Sequence, residues 1–132
     1  MKKVIFLLIT LNLSLFAELI NEFPTQKFLD KHIPIIDIRT KPEWQQTGLL
    51  KGAIPITFFH QDGSYNVKKF LTQLKSKVDV SKPFALICHT GNRTGMVSKF
   101  LSDELHLKVI NLKGGMDYAT KVQHLKTHPY SK

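Results

Sequence analysis

The chain is short of cysteine and arginine. It has one cysteine, Cys88, and two arginines, Arg39 and Arg93, among 19 basic residues. A single cysteine excludes a structural disulfide within the chain. It leaves three readings of the thiol: buried and inert, paired with another molecule, or a reactive nucleophile. Acidic residues are also few, 10 in all, for a formal net charge of +9. The lysines are scattered singly or in pairs, with no basic stripe interleaved with aromatics, so no nucleic-acid partner is expected. A positive field still draws small anions toward a site. Internal repeats, linkers and low-complexity stretches are missing too, and 132 residues suit one compact domain.

What is present begins with "MKK", a basic start, followed by the 13-residue apolar run "VIFLLITLNLSLF" and then Ala17 and Glu18. This pattern predicts a secretory signal peptide over residues 1–17 and a single domain over 18–132. The run is shorter than the roughly 20 apolar residues of a spanning helix. An uncleaved anchor is the alternative. The expected location is therefore exported and periplasmic. Loss of Lys2 and Lys3 with the signal leaves 17 basic and 10 acidic residues, a net charge of +7.

After the signal, apolar strands alternate with helical patterns. "PTQKFLDKH" reads as a short helix, "IPIIDI" as a buried strand, and "KPEWQQTG" as a helix closed by Gly48. "GAIPITFF" reads as a strand in which Pro55 hints at a sheet edge. "VKKFLTQLKSKV" places Val67, Phe70, Leu71 and Leu74 at helical spacing. "PFALIC" is a continuous apolar strand, "RTGMVSKFLSDELH" a helix, "KVINL" a strand and "GGMDYATKVQHL" a last helix. Strands separated by helices predict an α/β domain with a mainly parallel sheet.

Such sheets bind ligands beyond the carboxyl ends of their strands. Cys88 ends the most apolar strand, and the loop "CHTGNR" leads into a helix whose first N–H groups and positive dipole end face that loop. A thiol at that junction is expected to ionise readily. Gly91 lets the loop curl into a nest of N–H groups around the sulfur. Arg93 closes the loop with a fork that pairs with an oxyanion or a carboxylate, and Arg39 follows the strand "IIDI" at the same edge. His124 and His128 have no cysteine or carboxylate cluster near them in sequence, so no metal site is expected.

Three stretches, "IDIRTKPEWQQTGLLKGAIPI", "LICHTGNRTGMVSKFL" and "VINLKGGMDY", occur in an order and spacing that resemble a single-domain rhodanese, a sulfurtransferase family. The resemblance runs from about Leu29 to Tyr118. It implies a rhodanese-like fold, a central five-stranded, mainly parallel sheet with helices on both faces. It implies that Cys88 is the catalytic nucleophile that becomes a persulfide. His89, Thr90, Gly91, Asn92 and Arg93 match the substrate-binding loop, more through their backbone than their side chains. Asp37 and Arg39 match a polar pair that supports the fold and the loop. Glu43, Trp44 and Gly114-Gly115 read as structural: a helix-start acid, a core aromatic and a tight turn. Leu49 stands where many members carry histidine, and Tyr118 where tryptophan is frequent.

The resemblance implies movement of a sulfane sulfur from thiosulfate, a polysulfide or a persulfide through Cys88 to a thiophilic acceptor, cyanide or a thiol. No metal or organic cofactor is needed. With no second cysteine the acceptor comes from outside, a protein of the cell envelope being a further candidate, and no oligomeric state is implied. Two rival classes share the features: a non-catalytic polysulfide-sulfur carrier, and a cysteine-dependent phosphatase or arsenate reductase. Four residues separate Cys88 from Arg93. Phosphatases of this fold resemble a loop one residue longer, with room for a tetrahedral oxyanion.

Overall fold

A computed structural model describes residues 19–131. The expected signal segment, residues 1–17, lies outside the described residues. Among those described, no helix is long and apolar enough to cross a membrane.

The main sheet has five strands, β1 (Ile20–Glu22), β2 (Ile35–Asp37), β4 (Ile54–Pro55), β5 (Phe84–Ile87) and β6 (Val109–Leu112), in the order β1-β6-β5-β2-β4. Every neighbouring pair is parallel. β5 lies between β6 and β2, and all four of its residues are buried, as its unbroken apolar run requires when both sheet faces are covered. Its side chains alternate between two cores. Phe84 and Leu86 join Phe70 and Leu74 of α3 (Val67–Lys77) with Val97 and Leu101 of α4 (Asn92–Asp103). Ala85 and Ile87 join Phe28 of α1 (Gln26–Leu29) with Met116 of α5 (Gly115–Asp117) on the other face. Helices therefore pack on both faces.

Three strands, β1 and the two of a separate ribbon, escape the sequence pattern. β1 is three residues long and mostly exposed, so it carries no apolar run, yet it pairs with β6 from Ile20↔Ile110 to Glu22↔Leu112. β7 (Thr127–His128) pairs antiparallel with β3 (Leu49–Leu50) as a separate ribbon. Other elements are shorter than expected. The strand expected over 52–59 pairs as a ladder only at Ile54–Pro55, because Pro55 has no N–H to give; single bonds then continue from Ile56 N to Asp37 O and from Phe58 N to Ile38 O. The last expected helix is one turn of α5 followed by a π-helical turn, Tyr118–Val122, closed by Gln123 N donating to Tyr118 O.

α2 (Lys41–Thr47) forms where expected and stops at Gly48. Gly48 has φ +73°, and a Cβ there would fall 2.6 Å from His128 O, so the residue both ends the helix and admits β7.

Candidate functional site

The carboxyl ends of β2, β5 and β6 bring three segments together: residues 37–43, the Cys88 loop and residues 113–117. Register places Asp37 opposite Ile87, one residue before Cys88.

Cys88 is fully buried at the foot of its loop. Its Sγ accepts hydrogen bonds from Gly91 N at 3.2 Å and Thr94 N at 3.5 Å. The thiol donates to Thr94 Oγ1 at 3.5 Å, whose hydroxyl donates to Gly91 O at 3.2 Å. Gly91 makes the curl by standing in the left-handed region at φ +96°. Its missing side chain also matters, since a Cβ would come to 3.0 Å from Gly114 N.

The loop therefore lies close against the turn after β6. Met116 N donates to Cys88 O at 2.8 Å and Asp117 N to His89 O at 3.0 Å. Gly115 has φ +59°, and a Cβ there would fall on the carbonyl oxygens of Cys88 and His89. The glycine pair is thus the seat of the loop as well as a tight turn.

Both arginines pair with carboxylates. Arg93 places its two terminal nitrogens on Glu43, Nη1 at 2.7 Å and Nη2 at 2.8 Å from the two carboxylate oxygens. Glu43 also accepts from Thr40 N and Oγ1 at the head of α2. The Arg93 hydrogen bond, against the opposing effect of burial, lowers the Glu43 carboxyl from 4.5 to about 2. Arg93 is raised chiefly by its hydrogen bond to Glu43, with burial opposing and the Glu43 charge adding to it.

Arg39 is buried with Asp37. Its Nε donates to both Asp37 oxygens at 3.0 and 3.1 Å, Nη2 to Asp37 and to Gly48 O, and Nη1 to Thr47 Oγ1. Trp44 Nε1 and Arg39 N also donate to Asp37. This network joins β2 to the end of α2, the helix that carries Glu43.

His89, Thr90 and Asn92 are exposed on the rim. His89 Nε2 lies 3.1 Å from Asp117 Oδ1, and Lys121 approaches the same oxygen at 3.3 Å. A cavity of about 500 Å³ opens beside the loop, with Glu43, Arg93, Thr40, Phe59 and His60 among its walls. Among the described residues no group of three histidines, cysteines or acids could hold a metal ion.

The structure thus gathers Cys88 and Gly91 around one sulfur and aims the Arg93 fork at Glu43. It adds Thr94, which the sequence reading passed over; its place in the first turn of the helix after the loop was the available signal. Glu43 gave less warning, because it lies 50 positions before Arg93 and no local pattern links them.

A family model described as "Rhodanese-like domain" matches residues 16–120. No curated protein matches the chain. Among solved structures, the chain resembles a rhodanese-like domain protein of Staphylococcus aureus at 17% identity and a TM-score of 0.57, over 86% of this chain and 99% of that one. A protein of M. tuberculosis, Rv0390, is similar at 16% identity and a TM-score of 0.59, over 74% and 80%. A Rhodopseudomonas palustris protein, described as of unknown function and a possible tyrosine phosphatase, is similar at 22% identity and 0.55, over 81% and 84%. At these identities the likenesses speak for the fold.

Proposed function

The chain belongs to the rhodanese-like family, and from that premise we propose that it is a sulfurtransferase working through a Cys88 persulfide. The observation that carries the reading is the Cys88 sulfur facing two backbone amides, Gly91 N at the end of the loop and Thr94 N in the first turn of α4. Donors aimed at one sulfur stabilise negative charge there, on a thiolate before transfer and on a persulfide after it. When the thiol ionises, the Thr94 hydroxyl can turn to donate to the sulfur as well.

In the forward step the Cys88 thiolate attacks the outer sulfur of the donor, the donor's S–S bond breaks, and its electron pair leaves with the inner group. In the return step cyanide attacks the outer sulfur of the persulfide, giving thiocyanate and the free thiolate. A thiol acceptor takes the sulfur in the same way. The four-residue spacing between Cys88 and Arg93 favours a sulfur-sized guest over a phosphate ester. The apolar N-terminal run supports action outside the cytoplasm, in the periplasm, with an envelope protein as a natural acceptor.

Complete burial of Cys88 is what an inert core thiol would also show, so sulfur uptake is the deciding measurement. Thiocyanate formation from sulfane-sulfur donors and cyanide is expected with the wild type and absent in Cys88→Ala, and intact mass after donor treatment should rise by one sulfur atom. Uptake without turnover would favour the carrier. Absence of uptake would overturn the proposal.

A further inference from the structure

The charges around the loop bear on which donor it takes. Thiosulfate brings two negative charges to a thiolate: Cys88–S⁻ and S–SO₃²⁻ become Cys88–S–S⁻ and SO₃²⁻. Three negative charges crowd one transition state, and such chemistry needs cations nearby. The cation on the loop is Arg93, and both of its terminal nitrogens are held by Glu43. On the opposite flank Lys121 and His89 both face Asp117. Deeper in, Arg39 is matched by Asp37. Arg39, Arg93 and Lys121 thus each meet a carboxylate. An alkyl persulfide asks for less. Cys88–S⁻ and R–S–SH become Cys88–S–SH and R–S⁻, with one negative charge throughout.

We propose that Glu43 is the specificity-determining residue of this site, cancelling the Arg93 charge so that Cys88 takes sulfur from alkyl persulfides in preference to thiosulfate. The proposal rests on the sulfurtransferase reading and deepens it. Glu43 and Arg93 side chains are 28% and 25% exposed and form part of the wall of the cavity beside the loop, so both charges act where a donor approaches. Glu43 does not touch the sulfur; it acts through Arg93.

Glu43→Gln separates charge from scaffold, because glutamine can still accept from Thr40 N at the head of α2. With cyanide as acceptor, kcat/KM is measured for thiosulfate and for a small alkyl persulfide with no other charged group, at low and high salt. The wild type is expected to prefer the persulfide. In Glu43→Gln the thiosulfate-to-persulfide ratio should rise about tenfold, less so in high salt, and in Arg93→Gln it should fall by a similar factor. A purely structural role would slow both donors together in both variants. Thiosulfate affinity is also measured by calorimetry in a Cys88→Ser background, with and without Glu43→Gln, where no turnover is required. Tighter binding with Glu43→Gln is expected. If neither the ratio nor the affinity moves in the folded variant, or if the wild type prefers thiosulfate, the proposal is overturned. If affinity tightens while the wild type transfers no sulfur, the charge role stands and the sulfurtransferase reading fails.

Discussion

The Asp37–Arg39 and Glu43–Arg93 pairs each set two guanidinium nitrogens on a carboxylate, Nε and Nη2 in the first and Nη1 and Nη2 in the second, at different depths. The first has side-chain exposures of 0% and 2%, the second 28% and 25%. Arg39 spends all three nitrogens, and Asp37 also receives Trp44 Nε1 and Arg39 N. Arg93 spends two nitrogens on Glu43 and keeps an open side toward the cavity. Depth decides what each pair is for. A buried ion pair is costly to break because the survivor has no water to turn to, whereas a rim pair is screened and contributes little to stability. One arginine therefore holds the scaffold, and the other sets a local charge.

The largest expected effect tests the deep half. Arg39→Ala leaves the buried Asp37 carboxylate with Trp44 Nε1 and a backbone N–H but no cation, and a loss of about 3–5 kcal/mol is expected in denaturant unfolding. Arg39→Lys should recover only part of it, since an ammonium cannot serve Asp37, Thr47 and Gly48 together. A loss below about 1 kcal/mol would erase the contrast between the pairs.

The sheet and the loop were legible because their signals are local. "PFALIC" is apolar throughout because both faces of β5 are covered, and Gly91 marks the one turn that needs φ +96°. β1 and β7 were not legible, for they are short, largely exposed strands held by backbone pairing that no side-chain pattern records. The partner of Arg93 was hidden for another reason. Glu43 already has a local duty at the head of α2, which accounts for its presence without any call on a distant arginine. The glycine pair was read as a turn, and only the packing of β6 beside β5 reveals that the turn lies against the carbonyls of Cys88 and His89.

A middle-sized effect asks whether either pair seats the loop. Neither donates to the Cys88 backbone; Met116 N and Asp117 N hold the Cys88 and His89 carbonyls instead. In Gly115→Ala the new methyl group meets both carbonyls at a positive φ. The expected cost is about 1–3 kcal/mol, with sulfur loading of Cys88 reduced well beyond what that loss explains. Loading at the wild-type rate would shift the seat of the loop back to the ion pairs.

The smallest effect sharpens the shallow half. Arg93→Gln should cost about 1 kcal/mol or less near neutral pH. The sign of its pH dependence follows from Glu43, whose carboxyl is lowered from 4.5 to about 2 in the folded chain. An unfolded chain binds that proton first as pH falls, so the pair stabilises fully above 4.5 and loses its contribution on the way down to about 2. The stability difference between wild type and Arg93→Gln should hold steady through the neutral range and shrink across that acid window. A difference that persists to the bottom of the window would mean that Arg93 stabilises the fold through its alkyl stem and not through Glu43. The rim pair would then resemble the buried one in function, and the depth argument would fail at the loop where it matters most.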